Sequence, residues 1–471
     1  MQNNANISTQ VEWSIWYAKH DQEKYMSLHF YLYQSPFVSE FIQAKGSMGS
    51  HREGILIEWK HSMGSAWAEC APLPCFSKES LADCVNLLVT LKPEMEKQLE
   101  HLENNAAQNQ NGLPIFFDFE YAERATQALY TSTEDRFPSV QFALSMLLYD
   151  WASQRENRPL NYLFSDHANE LATKTNAAPI SAPSHSSTVH ANTIDDSCQI
   201  TGPISDSKDH LLQIPINALI PITNLEESLE LAKKAWLKGF RTIKMKVGPN
   251  HESNLNRLAK IQDALPGISY RLDPNGQWES ESLKPFEKDY ESYAIEYIEQ
   301  AVPPDMFITF CHERSSKAPS MAADESSVEF SSFIPLLGQK NISFFVLKPT
   351  LSGGIPEMIQ RCVLAHEKGQ SCIFSSAFDG IITRHTLACL GWMNNQLNGR
   401  RLAHGIDTGR WLIENYSSPK RKLIPEVHEG IYSLNPNLFD GQAHHSNTQN
   451  SKNFQTLDSL ITRSALVSIA V

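Results

Sequence analysis

From residue 212 to residue 407 the chain repeats one rhythm. A short run of apolar, β-branched and aromatic residues is followed by a stretch in which apolar positions recur every three to four residues. The short runs fall at 212–220, 242–247, 270–273, 295–299, 320–324, 344–348, 372–376 and 402–407. Runs of this length predict strands, and the three-to-four spacing predicts amphipathic helices. The first helix is marked at both ends. Asn224 is a favourable N-cap, Glu226 and Glu227 stand in the first turn where acids complement the helix dipole, and Gly239 supplies a stop. Between them Leu225, Leu229, Ala232 and Trp236 form one apolar stripe. A second helix is expected over 355–368, after Gly353 and Gly354 and before Gly369. Parallel strands need crossover helices, so eight strands alternating with helices predict an α/β, TIM-like barrel. A doubly wound open sheet is the competing reading. The first strand is followed by no G-x-G-x-x-G and the chain has no P-loop, which weighs against it.

The upstream part has a different texture. Residues 26–91 alternate short β-like runs with turns; 55–60 and 65–71 read as neighbouring strands, and helical patterns follow at 78–91 and 139–151. We therefore divide the chain into an α+β segment at 1–137, a barrel at 138–424 and a tail at 425–471 that packs back on the first segment. Three polar stretches lack apolar periodicity: 104–112, 166–210 and 441–455. They read as surface loops, the middle one a low-complexity insertion. His167, His185, His190, His444 and His445 lie in them and read as solvated histidines. The N-terminus has no basic patch followed by an apolar run, and no stretch approaches the ~18 apolar residues of a bilayer span. Eight cysteines among 471 residues, with no C-x-x-C, fit a reducing compartment, and a cytoplasmic location is expected. A net charge of −13 argues against nucleic acid or an anionic membrane as partner.

Charges interrupt the barrel strands at regular places. Lys246, Asp273, Glu299, Asp324 and Lys348 each stand at or near a strand's C-terminal end, 27, 26, 25 and 24 residues apart. That is the length of one strand–helix unit, so the five fall on successive strands at one height, on the face where such barrels carry active sites. One acid or lysine at a strand end is ordinarily a cap or a solvated group; five in phase are not. Three carboxylates at one mouth repel unless a cation neutralises them, and all-oxygen donors suit a hard divalent ion: Mg²⁺, with Mn²⁺ as an alternative. Lys244 and Lys246 are two apart and share a face of their strand. Two ammonium groups so close are expected to lower each other's proton affinity, as a lysine base requires. A lysine beside a metal-bound carboxylate favours proton abstraction α to that carboxylate. The expected substrate is a small carboxylate. Nothing in the pattern marks an oligomer interface, so a monomer or weak homo-oligomer is expected.

At these residues the sequence resembles the enolase superfamily, in the branch that carries K-x-K on the second barrel strand and a lysine on the sixth. Here those are Lys244–Met245–Lys246 and Lys348. Supporting stretches are AWAECAPLPCFSKES (66–80), PSVQFALSMLLYDW (138–151), RLDPNGQW (271–278), YIEQ (297–300), ADES (323–326), VLKPTLSGG (346–354), FSSAFDG (374–380) and HGIDTGRWL (404–412). The resemblance implies a (β/α)7β barrel with an N-terminal α+β capping domain, whose loops at 45–52 and 72–78 close over the mouth. It implies Mg²⁺ on Asp273, Glu299 and Asp324, and Lys246 as the base that then serves as acid. Lys348 would stabilise the enediolate and Lys244 would tune Lys246. Arg271 and Asn275 would stand behind the ligands beside the substrate, and Ser375 and Ser376 would line its pocket. Within the branch the likeness is greatest to the dehydratases of the menaquinone pathway, implying loss of water from a hydroxycyclohexadiene carboxylate. Racemisation of N-acylamino acids, epimerisation of dipeptides and muconate-type cycloisomerisation use the same machinery and stay open. A non-catalytic binding barrel is the alternative of another class. Cys75 stands where a glycine is common, the chain reads QAVPP after Glu299, and 166–210 has no expected counterpart.

Overall fold

The described chain begins with an antiparallel sheet: β1 (Ser27–Pro36), β2 (His51–His61) and β3 (Gly64–Cys70). The structure is a computed structural model, and it describes residues 26–38, 42–43, 46–47, 49–108, 117–130, 136–174, 212–413, 427–428, 430–434 and 467–468. β1 pairs with β2 and β2 with β3, while Val467–Ser468 adds to the other edge of β1. The tail thus returns to the first sheet through backbone pairing. Tyr33 lies across Gly54, where a Cβ would stand 2.6 Å from the ring, and its hydroxyl reaches Glu69 on β3.

Four helices follow: α1 (Leu81–Gln108), α2 (Phe119–Tyr130), α3 (Pro138–Glu156) and α4 (Leu160–Lys174). Two expectations are corrected here. The helix expected to end at 91 runs on through Pro93 to 108, so the first residues of the presumed loop at 104–112 are helical. Cys84, Leu88, Leu91, Met95, Leu99 and Leu102 are buried at three-to-four spacing, and that continuous stripe outweighs the one hydrogen bond a proline removes. Likewise residues 166–174, read as the start of an insertion, complete α4. Leu160, Leu163, Phe164, His167, Ala168 and Ala172 make its buried face. His167 is therefore a core residue and not a solvated one. Its Nε2 donates to the Phe117 carbonyl and its Nδ1 accepts from the Tyr149 hydroxyl at 2.7 Å; burial keeps its pKa low and the ring neutral. The histidines at 185, 190, 444 and 445 lie outside the described residues. α3 is buried nearly all round because it is sandwiched between β3, α2 and α4.

The barrel strands are β4 (Ala218–Ile220), β5 (Thr242–Lys246), β6 (Ser269–Asp273), β7 (Ile295–Glu299), β8 (Met321–Ala323), β9 (Ile342–Leu347) and β10 (Ser371–Phe374). All neighbours are parallel, in sequence order. The expected eighth run, 402–407, closes the curl. His404 bridges to Ile216 before β4, and Gly405 bridges to Ser375 after β10, so one segment joins both edges of the sheet. Among the crossover helices are α5 (Leu225–Leu237), α6 (His251–Ala264), α7 (Ile355–Glu367) and α8 (Ile381–Asn398). Asn224 caps α5 as expected, its Oδ1 accepting from Glu227 N at 2.9 Å, a bond worth about 1 kcal/mol. Gly239 and Gly369 stop α5 and α7 at φ 82° and 70°, which only glycine adopts freely. No helix among the described residues is long and apolar enough to cross a membrane.

Candidate active site

Parallel pairing sets Lys246 beside Asp273 and Lys244 beside Arg271. Side chains alternate along a strand, so Lys244, Lys246 and Asp273 all face the barrel interior. The Lys244 ammonium donates to Asp273 Oδ2 at 2.8 Å and to Glu299 Oε1 at 2.7 Å. Lys246 donates to Asp273 Oδ2 and to Asn275 Oδ1, each at 2.7 Å. Across the mouth Lys348 pairs with Asp324. Asn275 takes a left-handed backbone, φ 50°, and its N–H donates to Asp273 Oδ1 at 3.1 Å. The residues singled out from the sequence thus meet as ion pairs at successive strand ends. Lys246, Asp273, Lys244 and Glu299 are joined in one run, and Lys348 with Asp324 stands beside it.

The electrostatics of this cluster differ from expectation. Burial works to raise the Asp273 carboxyl, but Lys244, Lys246 and Lys348 outweigh it and hold the group well below its ordinary value. Burial raises Glu299, and the neighbouring Asp273 adds to it, so that this carboxyl is pushed up to about 7. Burial likewise raises Asp324, with Lys348 opposing. The lysine pair was expected to depress its own proton affinity. For Lys244 the balance runs the other way: burial lowers it, but Asp273 and Glu299 outweigh burial and raise it above the usual lysine value.

Whether the carboxylates fit a cation can be judged from the atoms left over. Among the described residues no three His, Cys, Asp or Glu side chains close on one point as a ready cage; the Lys244 ammonium stands between Asp273 and Glu299 instead. Glu299 Oε2, however, is buried and accepts no hydrogen bond. Such an atom is costly unless something positive meets it. The donor set is three hard carboxylates, which suits Mg²⁺.

A cleft with about 620 Å³ of empty space, part of it open to solvent, lies over the lysines. Ser375, Ser376 and Asn275 are on its wall. Arg271 is not. It is wholly buried lower in the barrel, its guanidinium donating to Glu296 Oε2 at 2.6 Å, Asn217 Oδ1 at 3.0 Å and the Ala403 carbonyl at 2.6 Å. It staples β6 to the closing segment and does not reach the cleft, because its guanidinium turns to Glu296, Asn217 and Ala403 instead. The loop at 72–78 does reach it, through Leu73 and Phe76. Part of the other proposed lid, 45–52, lies outside the described residues. Sequence reasoning missed Asn217, Leu219, Ala377, Phe378 and Thr408, which complete the wall. Their signal was position alone: Asn217 and Leu219 in the first strand run, Ala377 and Phe378 just after the seventh, and Thr408 just after the eighth.

Two family models match the chain: "MenC, N-terminal domain" over residues 25–117 and "Enolase C-terminal domain-like" over 227–415. An o-succinylbenzoate synthase of Thermosynechococcus vestitus is 29% identical over 165 residues, 34% of this chain and 51% of that protein. The chain spans about half the length of the curated relatives it matches at that level. An o-succinylbenzoate synthase of Pasteurella multocida is 23% identical over 76% of this chain and 83% of its own. A solved dipeptide epimerase from Methylococcus capsulatus, complexed with Mg and the dipeptide L-Arg-D-Lys, superposes with TM-score 0.62 at 17% identity, over 87% of this chain and 96% of that one. This last likeness is one of fold.

Proposed function

We propose that the chain is a member of the enolase superfamily and, within it, an o-succinylbenzoate synthase. It would dehydrate 2-succinyl-6-hydroxy-2,4-cyclohexadiene-1-carboxylate to 2-succinylbenzoate and water, for menaquinone synthesis in the cytoplasm. The observation that carries this reading is the chemistry of the cleft. Among its described lining residues the only charged groups are Lys244, Lys246 and Lys348, and the rest are apolar or neutral: Leu73, Phe76, Leu219, Ala377 and Phe378 beside Ser375, Ser376, Thr408 and two asparagines. That wall favours an anionic, partly apolar ring. Among the described residues it offers no carboxylate to the free ammonium of a dipeptide, which favours this reading over dipeptide epimerisation.

Asp273, Glu299 and Asp324 would hold Mg²⁺, with Mn²⁺ as a substitute. When bound, the ion supplies positive charge that acidifies the carbon α to the substrate carboxylate. Lys246, in its neutral form, takes the proton from ring C1. The same ammonium then returns that proton to the departing C6 hydroxyl, so water leaves and Lys246 ends as it began. Lys348, on the opposite side, donates to the enediolate oxygen that develops. Lys244 fixes Asp273 and Glu299 and adds positive charge beside Lys246. Asn275 accepts from Lys246 and holds its Nζ toward the ring. Ser375 and Ser376 would contact the substrate. Two lysines on opposite faces also suit racemisation of N-succinylamino acids, the second reading.

The test is a direct assay. The purified protein is mixed with the cyclohexadiene substrate and Mg²⁺ or EDTA, and product is followed by absorbance and mass. Mg²⁺-dependent appearance of 2-succinylbenzoate is the expected result. Bound Mg²⁺ without product, accompanied by deuterium exchange at Cα of N-succinylamino acids, overturns the dehydratase reading in favour of the second.

A further inference from the structure

Gln300 follows Glu299 and takes no part in the chemistry above. It is fully buried and adopts φ 41°, a left-handed backbone that a glutamine holds only under constraint. Every polar valence of its amide is used. Its Nε2 donates to the Val302 carbonyl at 2.9 Å and to Ser326 Oγ at 2.7 Å. Its Oε1 accepts from Asp324 N at 3.2 Å and from Ser326 N at 2.9 Å. Its backbone is equally committed: Gln300 N donates to the Ala322 carbonyl at 2.9 Å, and its own carbonyl accepts from Gly276 N at 2.6 Å.

Those partners belong to three different strand ends. Gly276 lies in the turn after Asp273, Glu299 is the preceding residue, and Asp324 receives the side chain directly. Nothing else described bonds to all three turns. Lys244 joins Asp273 to Glu299 through side chains, and a lysine so placed must move or yield when a cation enters. All but one of the Gln300 bonds are to backbone, and none of them uses a carboxylate oxygen that a cation would take. Oxygen ligands of a small, exacting ion must be held at set separations.

We propose that Gln300 is a positioning residue that fixes the mutual placement of Asp273, Glu299 and Asp324 and so sets the affinity of the mouth for a divalent cation. This rests on reading the three carboxylates as the cation's ligands.

The test uses Mn²⁺ as probe on the full chain stripped with EDTA, read by calorimetry and by loss of the free Mn²⁺ spin-resonance signal. Two variants are compared, Gln300→Ala and Gln300→Gly; glycine accepts the positive φ and keeps the experiment decisive if the alanine variant does not fold. Both are expected to bind Mn²⁺ about 10- to 100-fold more weakly than the wild type. Raising Mn²⁺ is expected to restore most of the turnover, a rescue that general loss of structure would not allow. Either variant binding Mn²⁺ within about twofold of a wild type that binds it overturns the proposal. A wild type that binds neither Mn²⁺ nor Mg²⁺ overturns the ligand reading itself, and the two failures are thereby distinct.

Discussion

Asp150 and Asp273 are both buried carboxyls, 1% exposed each, and they meet opposite fates. Asp150 sits in the seam between α3 and β3. Its Oδ2 accepts from Trp67 N at 2.7 Å and its Oδ1 has no partner. Burial pushes this group up to about 8, only partly offset by the Trp67 amide and the Gln154 side chain. Asp273, at the barrel mouth, is held low because Lys244 and Lys246 lie within 2.8 Å. Equal burial therefore fixes nothing by itself; what decides the charge is which cations the fold delivers alongside. The seam is built to hold a neutral acid, and the place between Lys244 and Lys246 to hold an ionised one. Desolvation is costly in both, but only at the mouth is that cost offset by groups that can also do chemistry.

The largest expected effect removes the chemistry from the mouth while leaving its packing. Lys246→Ala should lower kcat by about 10²- to 10⁴-fold, the range for losing a positioned acid–base group. Its side chain is 22% exposed, so the melting temperature should change little. Near-normal turnover would break the assignment of Lys246 as base, and with it the claim that this cluster is more than a structural ion network.

The contrast also marks what the sequence made legible. The five strand-end charges could be placed because the barrel repeat is regular: 24 to 27 residues per unit left little room for error. The cap on Asn224 and the stops at Gly239 and Gly369 were legible for local reasons of backbone geometry. The raised Lys244 was not, because its sign depends on Asp273 and Glu299 both closing on its ammonium, a contact that strand-end spacing does not give. His167 was misread because composition around it is polar while its own spacing is helical. The helix expected over 78–91 was cut short although its buried stripe runs on past Pro93 to Leu102. Arg271 shares a face with Asp273 and a height with Lys244, but its guanidinium turns to Glu296, Asn217 and Ala403, and where a long side chain turns is not visible in alternation alone.

The next effect tests the seam. A raised folded-state pKa means that the folded protein binds a proton the unfolded chain has already lost between pH ~4 and ~8. The stabilisation from protonated Asp150 is thus complete below pH ~4 and is lost as the pH rises through about 8. The amide introduced by Asp150→Asn mimics the neutral acid and keeps an acceptor for Trp67 N. The variant should therefore gain on the wild type as the pH rises, by about 2–4 kcal/mol at pH 9 relative to pH 5. Differential scanning calorimetry at both values reads this as a melting-temperature gap that widens by a few degrees. Groups common to both proteins cancel in the difference, so a gap independent of pH would show that Asp150 is ionised in the seam after all.

The smallest effect lies in the loop through which the first domain touches the mouth. Cys75 is exposed and holds φ 67°, between Leu73 and Phe76, which both line the cleft. The turn is fixed by its neighbours: Phe76 N and Ser77 N donate to the Leu73 carbonyl at 3.1 and 2.9 Å, and Ser77 Oγ accepts from Leu73 N at 2.8 Å. A left-handed backbone costs an L-residue about 1–2 kcal/mol. Gln300 bears the same strain but is bound on every side, whereas Cys75 bears it in the open. Cys75→Gly removes the strain and adds unfolded-state entropy worth about 0.5–1 kcal/mol. The net expectation is a gain of about 0.5 kcal/mol with kcat within about twofold. Cys75→Val adds a β-branch where φ is positive, and should lower the melting temperature and raise KM as Leu73 and Phe76 are displaced. Equal stability of the glycine and valine variants would mean that the loop abandons the left-handed turn. The apolar wall would then owe its shape to something other than this residue.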